Sequence, residues 1–81
     1  GGLGIVIAIK DGVLTIISPL EGTPGYEAGL QAGDRIVKIK GKSTKGITLM
    51  EAVKKLRGKP KTEVTITVLR ESEQRLIDFK I

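Results

Sequence analysis

Two β-branched runs, residues 3–9 (LGIVIAI) and 13–18 (VLTIIS), stand on either side of Lys10-Asp11-Gly12. Asp-Gly between two such runs is the signal of a tight hairpin, so the chain opens on paired antiparallel strands. With 81 residues in all, it has room for one small domain. Tyr26 and Phe79 are the only aromatic residues, so the core has to be aliphatic.

Further along, Pro19 to Gly25 holds two prolines and two glycines in seven positions and reads as loop. Tyr26-Glu27-Ala28-Gly29-Leu30 has room for one or two helical turns, and Ala32-Gly33-Asp34 for a turn. Residues 35–40 (RIVKIK) set Ile36 and Ile39 among basic residues with Val37, an imperfect alternation that still favours strand. Gly41-Lys42 turns the chain again, with a short strand predicted at Lys42-Ser43-Thr44. A helix is predicted over 49–57: Thr48 and Glu51 have capping-box spacing, and Leu49, Ala52, Val53 and Leu56 form one apolar face. Met50, Lys54 and Lys55 lie opposite, and Gly58 with Pro60 supplies the stop.

In residues 62–70 (TEVTITVLR), Val64, Ile66 and Val68 alternate with Glu63, Thr65 and Thr67, as in a half-buried antiparallel strand. A polar reversal at Glu71 to Gln74 precedes a last strand, residues 75–81, with Leu76 or Ile77 and Phe79 available to the core. The order predicts an α+β, mostly β, architecture: a small antiparallel barrel or sandwich capped by two helices.

The absence of Cys and His excludes disulfides, Cys/His zinc sites, cysteine nucleophiles and a Ser-His-Asp triad within the chain. No spacing singles out a Ser–Lys or carboxylate pair, so neither independent catalysis nor a metal or other cofactor is expected. The longest apolar-plus-glycine run, residues 1–9, falls well short of the roughly 18–20 residues of a membrane span. Residues 35–61 hold ten Lys or Arg against the single acid Glu51. That block has no aromatic residue on which a base could stack, so it reads as a solvated face and not as a nucleic-acid site.

Several of these stretches, in order, resemble a PDZ domain. Residues 2–5 (GLGI) are similar to the Gly-Leu-Gly-Phe carboxylate-binding loop, and residues 28–36 (AGLQAGDRI) to the loop entering the middle strand. With VKIKGKST, TLMEAVKKLRGKP and TEVTITVLR, the likeness is to the PDZ domains of bacterial carboxyl-terminal processing proteases, the tail-specific protease family. It implies a circularly permuted PDZ fold, in which residues 75–81 take the place of the first strand of the animal domains. It also implies that residues 1–81 form a single domain of a larger protease, whose serine nucleophile and lysine base lie in another domain. A periplasmic or otherwise extracytoplasmic location follows from the same resemblance. A scaffolding or adaptor PDZ domain, or that of an HtrA-type protease, is the alternative. Ile5 replaces the aromatic of many animal domains, which implies an aliphatic pocket, and Lys61 stands where similar proteases often have glycine.

A glycine-rich turn running into a strand exposes successive backbone N–H groups, which can hold one carboxylate. Phosphate loops open instead onto a helix. Peptide-binding residues implied by the resemblance are Leu3, Gly4, Ile5, Val6, Ile7 and Ala8 on the loop and strand, and Leu49, Val53 and Leu56 on the helix. The expected partners are C-terminal peptides of protein substrates with an apolar terminus, and the protease domain of the same parent chain. From periodicity alone Leu49, Val53 and Leu56 read first as core positions; the resemblance gives the core to Ala52 and the groove to the other three.

Overall fold

A computed structural model describes residues 3–57 and 63–81. The hairpin forms as predicted: β1 (Ile5–Lys10) pairs antiparallel with β2 (Val13–Pro19), closing at Lys10 and Val13. Asp11 and Gly12 both have positive φ, 50° and 77°, as a two-residue turn matching the strand twist requires. Then come α1 (Pro24–Ala28), β3 (Arg35–Ile39), β4 (Lys42–Ser43), α2 (Leu49–Leu56), β5 (Thr65–Arg70) and β6 (Arg75–Lys80).

The six strands form one sheet in the order β1-β2-β3-β5-β6, with β4 attached to β3. The expected small antiparallel β architecture with two helices is present, and its sheet is open, with β1 and β6 at the two ends of the strand order. Alternation specifies one buried face but says nothing about whether the two outermost strands meet. Within the sheet, β2 meets β3 in the ladder only at Thr15 and Arg35.

Helix α1 begins earlier than predicted. Thr23 is its N-cap, accepting the Tyr26 N–H, and Pro24 opens its first turn, where the missing proline donor is harmless. Pro24 and Gly25, expected in loop, are therefore helical. Helix α2 is capped as expected, with Thr48 Oγ1 accepting the Glu51 N–H at 3.1 Å and donating to Glu51 Oε1 at 3.1 Å. Thr48→Ala is expected to cost about 1 kcal/mol, read as a lower denaturant midpoint with unchanged slope. Arg57 is the C-cap, while the predicted Gly58–Pro60 stop, Lys61, Gly1 and Gly2 lie outside the described residues.

The largest fully buried side chains are Leu14, Ile16, Ile36, Ile39, Ile66 and Val68, an aliphatic core as composition required. Ala52 joins them, whereas Met50 on the opposite face of α2 is 71% exposed. The irregular RIVKIK segment has a register shift against β5 between Ile36 and Lys38. The extra residue, Val37, resets the alternation, so that Ile36 and Ile39 both face the core. In β6, Ile77 and Phe79 pack against the core and Leu76 stays exposed.

A buried ion pair fixes the loop between α1 and β3. Arg70 donates through Nε to Asp34 Oδ1 at 3.0 Å, and through Nη2 to Asp34 Oδ2 at 2.7 Å and to the Gly29 carbonyl at 2.9 Å. Asp34 Oδ2 also accepts the Gln31 N–H at 3.0 Å, and the guanidinium lies 5.7 Å from the centre of the Phe79 ring. The Arg70 pKa is raised, chiefly by hydrogen bonding to Asp34 against the opposing pull of desolvation, so the side chain stays charged.

Candidate functional site

The loop before β1 is held by its carbonyls. Leu3 C=O accepts the Gly25 N–H at 2.9 Å, and Gly4 C=O accepts the Leu20 N–H at 2.7 Å and the Thr23 hydroxyl at 3.3 Å. No acceptor among the described residues meets the N–H groups of Leu3 or Gly4. Gly4 has φ +75°, and a Cβ there would collide with the Thr23 side chain. A Cβ on Gly25 would come within 2.7 Å of Ile5 Cγ2 and 2.8 Å of the Leu3 oxygen. The loop is thus pressed against the start of α1 through two glycines, while its Leu3 and Gly4 donors have no acceptor among the described residues.

Strand β1 continues this edge. Lys10 and Val13 close a two-residue turn and so form a hydrogen-bonded pair; alternation then makes Ile9–Leu14 and Ile7–Ile16 non-hydrogen-bonded pairs. The backbone groups of Ile5, Ile7 and Ile9 therefore point away from β2, toward the open edge of the sheet.

Between this edge and α2 lies a cavity of about 180 Å³. Leu3, Gly4, Ile5 and Ile7 form one wall, and Val53, Leu56 and Arg57 the other. The start of β1 thus faces the end of α2. Six of the nine residues expected at the site line this cavity: Leu3, Gly4, Ile5, Ile7, Val53 and Leu56. Leu56 is also a core residue at 6% exposure, whereas Val53 is 37% exposed. Val6, 44% exposed, and Ala8 turn their backbone groups to β2 and do not line the cavity. Leu49, one turn before Val53, lies outside it and is 42% exposed. Arg57, Thr23 and Gly25 were not anticipated at the site. The signal for Thr23 was the Thr-Pro pair that opens α1, and for Arg57 its place four residues after Val53.

A family model for the PDZ domain matches residues 15–70. The chain belongs to the PDZ domain family. It is 42% identical, over its whole length, to a carboxy-terminal-processing protease of Bartonella bacilliformis, of which it spans 19%. In structure it is similar to a photosystem II D1 C-terminal processing protease, with a TM-score of 0.89 and 25% identity over 99% of this chain and 22% of that one. It is also similar to the PDZ domain of a carboxy-terminal protease from Vibrio cholerae, solved in complex with peptide. There the TM-score is 0.82 and the identity 25%, over 99% of this PDZ chain and 94% of that one. The resemblance to C-terminal processing proteases thus holds for sequence and fold alike.

Proposed function

We propose that this PDZ domain captures the free C-terminus of a protein substrate by strand addition to the open edge of β1, for a serine protease domain of the same parent chain acting outside the cytoplasm. The observation that carries the reading is the pair of N–H groups at Leu3 and Gly4. They have no acceptor among the described residues and stand at the mouth of an apolar cavity that ends an unpaired strand edge. A terminal carboxylate accepts from these groups, the last side chain fills the cavity, and the peptide backbone bonds to Ile5, Ile7 and Ile9. Aliphatic walls and about 180 Å³ suit a small or medium apolar terminal residue. Leu49, further along the same helix, favours an apolar side chain two positions upstream. The domain positions substrate and leaves the chemistry to its parent chain.

A short peptide buries little area and must be ordered on docking, so dissociation constants of about micromolar or weaker are expected. The test is an amide-shift titration of the domain with a five-residue peptide ending in Val-Ala, as free acid and as C-terminal amide. The acid is expected to shift Leu3 to Ile9 and Val53 to Arg57 and to bind at least about tenfold more tightly than the amide. Val53→Lys, at a half-exposed position, weakens the acid while leaving the fold intact. Equal binding of acid and amide, or shifts confined to other surfaces, would overturn the reading.

A further inference from the structure

Gly25 is helical and its φ is not positive, so its backbone makes no demand for glycine. The space around it does. A Cβ there would stand 2.7 Å from Ile5 Cγ2 and 2.8 Å from the Leu3 oxygen, with Leu30 Cδ1 at 3.5 Å. Leu30 is packed in the buried core and cannot retreat, so relief has to come from Leu3 and Ile5. Ile5 Cγ2 is a branch methyl fixed at Cβ, and χ1 of a β-branched residue is stiff, so the methyl moves with its strand. The Leu3 oxygen is backbone, and it accepts the Gly25 N–H at 2.9 Å.

Leu3 and Ile5 also line the cavity beside α2, whereas Gly25 does not. They form a wall with Gly25 behind it and the cavity, then Val53 and Leu56, in front. A side chain at position 25 has to push this wall forward by several tenths of an ångström, and a cavity of about 180 Å³ loses that depth. The Leu3 carbonyl and the Gly4 N–H belong to one planar peptide unit, so the same shift turns one of the two carboxylate donors.

We propose that Gly25 sets the size of the substrate's terminal side chain without touching it, an inference that rests on the strand-addition reading above and narrows it. Its missing Cβ lets the Leu3–Ile5 wall sit back on α1 and leaves room for a branched aliphatic residue, valine or leucine, at the C-terminus. With alanine at position 25 the wall stands forward, and the cavity takes a terminal alanine but not a leucine. Gly25 is thus a positioning residue for the pocket, acting through Leu3 and Ile5.

The test titrates the domain and its Gly25→Ala variant with two five-residue free acids, alike except that one ends in Val-Ala and the other in Val-Leu. The unaltered domain is expected to bind Val-Leu about threefold to tenfold more tightly. Gly25→Ala weakens Val-Leu at least about tenfold and Val-Ala about threefold or less, which levels or reverses the preference. Partial unfolding of the variant lowers both affinities by one factor and cancels from the ratio. A second measurement needs no variant. In the unaltered domain Val-Leu, pressing on the wall, is expected to shift the Gly25 amide, which donates to the Leu3 carbonyl, further than Val-Ala does. A preference that Gly25→Ala changes by less than about twofold would overturn this inference alone, as would an unaltered domain that favours Val-Ala. Where the variant does not fold, a Gly25 amide that responds equally to the two peptides has the same force. A Val-Ala acid that binds no better than its amide overturns the groove reading and this inference with it.

Discussion

Replacing Arg70 with methionine, or Asp34 with leucine, is expected to lower the melting temperature by at least about 12 °C, because the first change leaves Asp34 buried without a counter-charge and the second leaves Arg70 only its longer contact with Glu73, at 3.5 Å, a cost of about 3–5 kcal/mol. The pair is bidentate and its side chains are 9% and 3% exposed, so solvent does little to screen the orphaned group. The double variant, Arg70→Met with Asp34→Leu, is expected to be more stable than either single one, since no charge is then left buried. It stays below the parent chain, because the Gly29 carbonyl and the Gln31 N–H also lose their partners. Chemical denaturation of the four proteins checks this. A double variant whose loss equals the sum of the single losses would show that the two side chains act independently.

Gly4→Ala is expected to cost more than about 2 kcal/mol and to abolish discrimination between a peptide acid and its amide. Positive φ alone costs about 1 kcal/mol for a residue with a Cβ. Gly12→Ala isolates that part: Gly12 has φ +77°, nearly that of Gly4, and no atom lies within 4 Å of its added Cβ. At Gly4 the new methyl also meets the Thr23 side chain, which itself bonds the Gly4 and Leu20 carbonyls. The loop has to move away from α1, and the Leu3 and Gly4 donors move with it. Equal losses of stability and unchanged peptide binding in the two variants would remove the loop's contact with Thr23 from the account.

The elements that depend on neighbouring residues were legible from the sequence: the hairpin at Asp11-Gly12, the capped helix after Thr48, and the alternation of β5. What was not legible depends on partners distant in the chain. Val37 becomes a bulge only because β5 pairs with β3 in a shifted register, and no local pattern in RIVKIK announces that. Asp34 and Arg70 are 36 residues apart, and each looks like an ordinary surface charge at the end of a strand until the fold buries them together. The limits of α1 were misplaced for a different reason, since the density of Pro and Gly hid the Thr23-Pro24 start signal. At the site, an aliphatic stripe on a short helix serves core and groove equally. Leu56 does both, Val53 only lines the groove, and exposure in three dimensions is what separates them.

The single ladder pair between β2 and β3, Thr15 with Arg35, divides the backbone into a two-stranded flap that carries β1 and a body that carries α2. Beside that pair, Ile16 N–H donates to the Asp34 carbonyl at 2.8 Å and Gly33 N–H to the Ile16 carbonyl at 2.7 Å, and Leu14, Ile16 and Ile36 share one buried cluster; these contacts keep the flap in place. The two walls of the groove stand on opposite sides of this division. Whatever seats itself between Ile7 and Val53 therefore laces flap to body, and its binding free energy adds to the resistance of that junction to opening. Occupancy and cohesion rise together in this fold, and an empty groove leaves the flap as the part of the sheet most easily peeled away.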